Sequence, residues 1–271
     1  MTRTQVKAVR SSGEVKAPSR RMAGLFSIYL RWRLGRRFNC VRVANVGRIP
    51  PQAQPLILFA NHASWWDGLT AMLLAQTILP ERDHYAPMDE EVLARHGILR
   101  SLGFFSAGFF AMDQASARGA AQLLRAGSAV LSREGSVLWI TPEREAQDVR
   151  KRPVVFRPEL GALMTRMGRL TCVPVAMEYA FWDEKLPEIL INIGEPLEIG
   201  DGSMEEARTW TNLLSYATAA TLDELAMLAI ERDPGAFETV LSGTGGGYEF
   251  WKRLGCALTG SIYYHGNGSR S

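Results

Sequence analysis

Cysteine is sparse: Cys40, Cys172 and Cys256 lie far apart in 271 residues and form no CxxC pair. That excludes a disulfide framework and a zinc ribbon, and suits a reducing cytosolic setting. Histidine is equally sparse, with four residues and none near a cysteine at metal-ligand spacing. Long apolar runs are missing too. Met22–Leu30 is closed by Arg31, and Leu102–Met112 is short, so neither reaches the roughly 18–20 uncharged residues of a spanning helix. No GxSxG elbow is present. The glycine cluster Gly243–Gly247 follows no strand-like segment, which argues against a dinucleotide loop. Ser19-Arg20-Arg21 stands before too short an apolar stretch, with too many arginines after it, to be an export signal.

What is present is ordinary for a folded domain: 46% apolar, 22% charged and 9% aromatic residues. The net charge of +3 hides a split. Residues 1–48 hold twelve Lys or Arg against Glu14 alone, a surplus of eleven positive charges. Residues 49–271 hold 19 bases against 27 acids, a surplus of eight negative charges. A nucleic-acid binder would interleave bases and aromatics on a folded face, whereas here the bases collect at one end. Residues 1–20 read as a disordered basic arm. Residues 21–38 read as a short helix whose apolar face, Met22, Phe26 and Tyr29, also carries Arg33, with Trp32 nearby in the sequence. That face suits a lipid headgroup layer better than a protein core, because Arg snorkels and Tyr and Trp favour that depth.

Residues 39–232 alternate strand-like and helix-like pieces. Strands are expected at Leu56–Ala60, Val137–Ile140, Cys172–Glu178 and Glu188–Ile193. Helices are expected at Gly68–Ile78, Asp89–Leu99, Ala115–Glu134, Pro158–Met167 and Ser203–Glu231. This alternation predicts a single α/β domain with a mixed central sheet flanked by helices, preceded by the basic arm and a membrane-surface helix. Residues 233–271 read as a flexible C-terminal tail. Cys172, in an apolar run, reads as an inert buried thiol, and His84, His96 and His265 show no partner pattern.

The sharpest motif is Asn61-His62-Ala63-Ser64-Trp65-Trp66-Asp67, directly after a strand-like run. Five residues apart, His62 and Asp67 cannot share a helix face. They can meet if His62 leaves the strand in a turn and Asp67 opens the next helix, and Asp67 would then fix the tautomer of a general base. The same pair also suits a turn that is merely held together. Further on come Phe104–Gln114, rich in Phe and Gly, the strand end Thr141-Pro142-Glu143-Arg144, and Val173-Pro174-Val175. Taken singly, a charged turn and core packing explain these three equally well.

In this order and spacing, from about Phe38 to Gly194, the pieces resemble the glycerolipid (lysophospholipid, or 1-acylglycerol-3-phosphate) acyltransferase family, in a divergent bacterial branch. Asn61–Asp67 looks like its first motif nearly residue for residue. Gly108 and Gln114 fall on the second, Thr141-Pro142-Glu143 on the third, and Val173-Pro174-Val175 on the fourth. The resemblance implies transfer of a fatty acyl group from a coenzyme A or acyl carrier protein thioester to a lipid hydroxyl, with no metal, no bound cofactor and no acyl-enzyme. It implies His62 and Asp67 as catalytic residues and Glu143, Arg144 and Gln114 as acceptor-binding ones. Asn61, Ser64, Trp65 and Gly108 would line the site, and Phe104, Phe105, Phe109 and Phe110 are candidates for an acyl slot. The partners implied are an anionic membrane surface, a lipid acceptor and acyl carrier protein, without nucleic acid, at the cytoplasmic face of the membrane.

Two departures stand out. Gln114 replaces the second motif's arginine, and Arg144 and Ala146 replace the glycine and arginine of the third. The family's arginines would grip an acceptor phosphate; here Arg144 must compensate or the acceptor lacks that phosphate. Asp148–Pro153 and Glu178–Trp182 resemble the branch in which glycolipids or glycosylated terpenoids are acceptors. The competing readings are a degenerate member that only binds lipid and a Ser64-dependent hydrolase or thioesterase.

Overall fold

The computed structural model describes residue 15 and residues 17–51, 55–89, 108–113, 116–167, 169–200 and 206–243, together with the backbone of 262–264 and 268–270. Gln114, Phe104, Phe105, His96, His265 and most of the expected arm, tail and 89–99 helix lie outside the described residues.

The chain opens with α1 (Arg20–Gly35) and β1 (Cys40–Ala44), then β2 (Leu56–Ala60), α2 (Asp67–Ile78), β3 (Asp83–Asp89) and β4 (Phe109–Met112). It continues with α3 (Ala117–Leu131), β5 (Ser136–Ile140), α4 (Pro158–Arg166), β6 (Leu170–Ala180), β7 (Glu188–Ile193), β8 (Leu197–Ile199), α5 (Ala207–Glu231) and β9 (Glu238–Ser242). A small hairpin, β10 (Ile262–Tyr264) and β11 (Gly268–Arg270), closes the described chain. The main sheet runs β4-β3-β5-β2-β6-β7-β1-β9, with β8 beside β6. Its first five strands are parallel, and β7, β8 and β9 each enter antiparallel to a neighbour. The expected mixed α/β domain is therefore what forms.

Apolar runs such as Leu56-Ile57-Leu58-Phe59-Ala60 make strands buried on both faces, as the middle of a covered parallel sheet requires. Leu56, Leu58, Val137, Trp139, Val173 and Val175 face α1 and α2. Ile57, Phe59, Leu138, Ile140 and Cys172 face α3, α4 and the start of α5. Cys172 is a fully buried thiol, as its apolar setting suggested. Because β2, β5 and β6 are parallel, their carboxyl ends emerge at one edge, where α/β proteins build their sites.

Three expectations change. Residues 233–243, expected as the start of a tail, form a short 3-10 turn and then β9, which pairs with β1 and adds an edge strand to the sheet. Asp89 ends a strand rather than starting a helix. Val15, expected in a free arm, is buried, and its carbonyl accepts from Arg133. Among the described residues, α5 is long and apolar enough by length and composition to cross a membrane, but one stripe of it, including Trp210, Leu214, Leu222 and Leu225, is buried in the domain.

Candidate active site

β2 delivers Asn61 and His62 to the edge where β5 also ends and past which β6 runs on. The Asn61 side chain donates to Met177 O at 3.0 Å and accepts from Met177 N–H at 2.8 Å. It thus extends the β2–β6 ladder by one rung, and it is buried rather than facing the site. The chain then turns through His62–Trp66 into α2, whose first residue is Asp67. An acid in a first helical turn faces free N–H groups and the positive end of the helix dipole.

The Asp67 carboxylate is buried and accepts four hydrogen bonds. Oδ2 takes His62 Nδ1–H at 2.7 Å, Ala63 N–H at 2.8 Å and Ser64 N–H at 2.9 Å; Oδ1 takes the Tyr179 hydroxyl at 2.6 Å. A carboxylate only accepts, so Nδ1 carries the ring proton and Nε2 is left with its lone pair. His62 is pulled above its ordinary pKa, chiefly by the hydrogen bond it donates to Asp67 and further by the charges of Asp67 and Glu143, against partial burial. The ring is about one-third exposed and lines a cleft.

The cleft has a volume of about 460 Å³. It runs from His62, Ser64, Trp65, Thr141 and Arg144 inward between α1, α2 and β3. Small residues line the helical walls, Ala23 and Gly24 on α1 and Gly68, Ala71 and Ala75 on α2, with Met72, Tyr85, Ala86, Met88, Phe109 and Trp139 also lining it. The lining is mainly apolar, as a hydrocarbon chain requires. His84 stands in that wall with both ring nitrogens occupied: the Trp139 indole N–H donates to Nδ1 at 3.0 Å and Nε2–H donates to Leu79 O at 2.9 Å. Burial lowers its pKa to about 4, so it is neutral at working pH.

The remaining expected residues divide. Ser64 and Trp65 line the cleft, with Trp65 exposed and stacked on Trp66 at 3.9 Å. Trp66 turns away from the cleft, edge-on to Phe38 at 5.1 Å and beneath Arg33 at 5.7 Å. Phe109 lines the cleft, but Phe110 faces the opposite side of the sheet. Arg144 is exposed at the mouth.

Glu143 does not line the cleft. It is buried behind the turn, where its Oε2 accepts a hydrogen bond from His62 N–H. Its carboxyl pKa is raised, by burial, with the His62 N–H opposing only part of that rise. Its carboxylate thus bonds the His62 backbone from behind rather than facing the cleft, where an acceptor contact was expected. Gly108 does not line the site either. It holds a positive φ of 92°, and a Cβ there would lie 1.9 Å from His84 O, so glycine is what lets β4 start beside β3.

Three interactions had no local signal in the sequence: Tyr179 on Asp67, His84 on Trp139, and the stretch after Glu143. The last folds back on itself, with Arg157 N–H bonding Pro142 O at 3.1 Å and Gln147 N–H bonding His62 O at 2.8 Å. The N–H groups of His62, Ala63 and Ser64 are committed to Glu143 and Asp67 and are not free to serve as donors to a bound group. Among the described residues the His62 ring bonds Asp67, and Ser64 Oγ accepts from Trp66 N–H at 3.4 Å, so Ser64 is not set up as a nucleophile.

A family model described as Acyltransferase matches residues 40–178, just over half of the chain. The chain belongs to the acyltransferase family and is an O-acyltransferase. Among solved structures, the 1-acyl-sn-glycerophosphate (LPA) acyltransferase PlsC from Thermotoga maritima is similar, with 16% identity over 83% of this chain and 84% of that one and a TM-score of 0.49. At that identity and score the likeness says nothing of this chain's substrate. No curated protein matches.

Proposed function

We propose that the protein transfers a fatty acyl group from a coenzyme A or acyl carrier protein thioester to a hydroxyl of a lipid acceptor at an anionic membrane surface. The observation that supports this best is the 2.7 Å His62 Nδ1–Asp67 Oδ2 contact at the mouth of an apolar cleft. Nε2 of His62 takes the proton of the acceptor hydroxyl as its oxygen attacks the thioester carbonyl carbon. Asp67 holds the tautomer and stabilises the imidazolium. The tetrahedral intermediate collapses with cleavage of the C–S bond, and the thiolate leaves with the proton from His62. Acyl transfer is direct and needs no covalent enzyme intermediate. The cleft between α1, α2 and β3 takes the acyl chain, and Arg144 faces the polar part of the acceptor.

The membrane side of the reading rests on α1. Leu25, Ile28 and Trp32 are 63%, 68% and 52% exposed, with Met22 in line with them. These spacings of three and four place them along one outward stripe, and Arg31, Arg36 and Arg37 are exposed around it. Arg36 lies over the Trp32 ring at 5.3 Å. An apolar stripe with Trp and flanking Arg inserts into a headgroup layer, and each base adds up to about 1 kcal/mol near an anionic surface.

The test is purified His62→Ala, supplied with palmitoyl-CoA or palmitoyl-acyl carrier protein and a panel of lysophospholipids and glycolipids. Loss of product by about 10²–10⁴-fold with an unchanged melting temperature is expected for a lost general base. Wild-type turnover would overturn the assignment.

A further inference from the structure

We propose that Tyr179 is a positioning residue for this acyl transfer: its hydroxyl fixes the plane of the Asp67 carboxylate and so the orientation of the His62 ring. The inference rests on the reading of His62 as the base, and adds to it a third side chain drawn from a distant strand.

Asp67 Oδ2 already receives three donors, two of them backbone N–H groups of the same turn. Bonds converging on one oxygen leave the carboxyl free to tilt about it, since the terminal carboxylate torsion of Asp is soft. A donor on the other oxygen removes that freedom. Among the described residues, the Tyr179 hydroxyl is the donor on Oδ1, at 2.6 Å. The phenol can donate at any working pH, because burial and the Asp67 charge both push its ionisation upward.

The fold takes some trouble to put Tyr179 there. β6 is paired with β2 only as far as Ala60–Val175, yet it runs on to Ala180 alongside β7. Asn61 secures the first part of that overhang through Met177. Two residues later, on the same face, Tyr179 reaches over the turn, and its ring is braced by Phe38 at 5.7 Å. Tyr179 is 112 residues from Asp67 in sequence, so local spacing cannot place the two together. The hydroxyl also meets the Thr70 side chain, while packing on Phe38 alone would be served as well by phenylalanine.

The charged and titratable groups facing His62 are Asp67 on α2, Glu143 after β5 with Lys151 acting on it, and Arg144 at the cleft mouth. Tyr179 on β6 acts on His62 only through Asp67. Its O–H draws charge from the carboxylate, so its loss leaves more charge for the imidazolium.

Tyr179→Phe tests this. The His62 ring titration is followed by NMR without substrate, its signal identified by its disappearance in His62→Ala. In Tyr179→Phe it is expected to move up by roughly 0.3–1 pH unit. In an Asp67→Asn background the same change is expected to move it by less than about 0.1 unit, since the two substitutions act on one link. With palmitoyl-CoA and lysophosphatidic acid, kcat is expected to fall about tenfold with KM unchanged. Should Tyr179→Phe fold poorly, 3-fluorotyrosine at 179, a stronger donor, is expected to lower the His62 titration. An unmoved titration in the native background, or an equal shift without Asp67, overturns the proposal. Wild-type turnover by His62→Ala overturns the base assignment instead, which the substrate-free titration keeps distinct.

Discussion

The turn His62–Asp67 and the helix α1 stand on the same side of the sheet and differ in what they leave unsatisfied. In the turn, the N–H groups of His62, Ala63 and Ser64, the ring proton of His62 and both Asp67 oxygens all have protein partners. In α1, only Leu30, Leu34 and Gly35 are buried, while Leu25, Ile28 and Trp32 stand in solvent. A site that must hold a base within hydrogen-bonding geometry benefits from over-determination. An exposed apolar stripe with basic flanks is unfavourable until a surface covers it. The two are joined, because Ala23 and Gly24 of α1 wall the cleft that begins at His62. On the proposed reading, a change in how α1 lies on a membrane would therefore reach the acyl slot.

Asp67→Ala attacks the satisfied side and has the largest expected effect. It orphans two backbone N–H groups, the His62 ring N–H and the Tyr179 hydroxyl together. At about 1 kcal/mol for each lost bond, stability falls by about 2–4 kcal/mol in urea unfolding. Turnover falls by about 10³–10⁴-fold, because the ring loses both tautomer and orientation. A variant with native stability would show that the turn is held by something other than Asp67.

The unsatisfied side is tested by Leu25→Ser with Ile28→Ser, which removes apolar surface that the folded chain does not itself bury. Melting temperature should stay within a degree or two of the parent. Partition onto anionic vesicles should fall about a hundredfold, from roughly 3 kcal/mol of lost apolar burial. Unchanged partition would mean that the stripe faces something other than lipid.

The two histidines of the cleft sharpen the contrast by titrating in opposite directions. His62 is raised above 6.5 by its bond to Asp67. The acid limb of kcat/KM should therefore lie above pH 6.5, since only neutral Nε2 accepts a proton. The stability that the protonated His62–Asp67 pair contributes is complete below 6.5 and is lost as pH rises through the folded value. His84 is lowered from 6.5 to about 4 by burial. In its case the unfolded chain binds the proton first, so stability drains as pH falls from 6.5 toward 4. The loss is about 2 kcal/mol by pH 5. Urea unfolding at pH 6.5 and 5.0 should show that fall in the native protein and much less of it in His84→Gln.

How far the sequence discloses this architecture depends on the range of the forces involved. Leu56–Ala60 and Ser136–Ile140 are central strands buried on both faces, and nothing but an apolar run can fill such a place. The first motif is legible because its partners are five residues apart. β3 is not legible, since Asp83-His84-Tyr85-Ala86-Pro87-Met88-Asp89 is mixed in polarity and contains proline. Pro87 is tolerated because β3 pairs with β5 only through Tyr85, and from Ala86 its partner is β4 on the other side. β9, Glu238–Ser242, is an edge strand with three of its five residues exposed and carries little apolar pattern. Tyr179 and Glu143 are visible as residues but not as partners of the turn, because strand register alone brings them to it. The placement of Glu143 is hidden for the same reason: a strand-end acid looks alike whether it faces the cleft or the backbone behind it.

Glu143 offers the finest discrimination and the smallest effect. Glutamine at 143 keeps an oxygen that can accept from His62 N–H and removes a negative charge that helps raise the His62 pKa. Glu143→Gln should leave kcat within a few-fold of the parent, leave KM for the acceptor unchanged and move the acid limb to slightly lower pH. Glu143→Ala removes the oxygen as well and leaves the N–H of His62 without its acceptor, at about 1–3 kcal/mol. It should lower both stability and kcat, and again spare KM. An acceptor-binding carboxylate would behave in the opposite way, raising KM in both variants with little change in stability. Steady-state kinetics beside urea unfolding of the two variants therefore separates a clamp behind the turn from a contact in front of it.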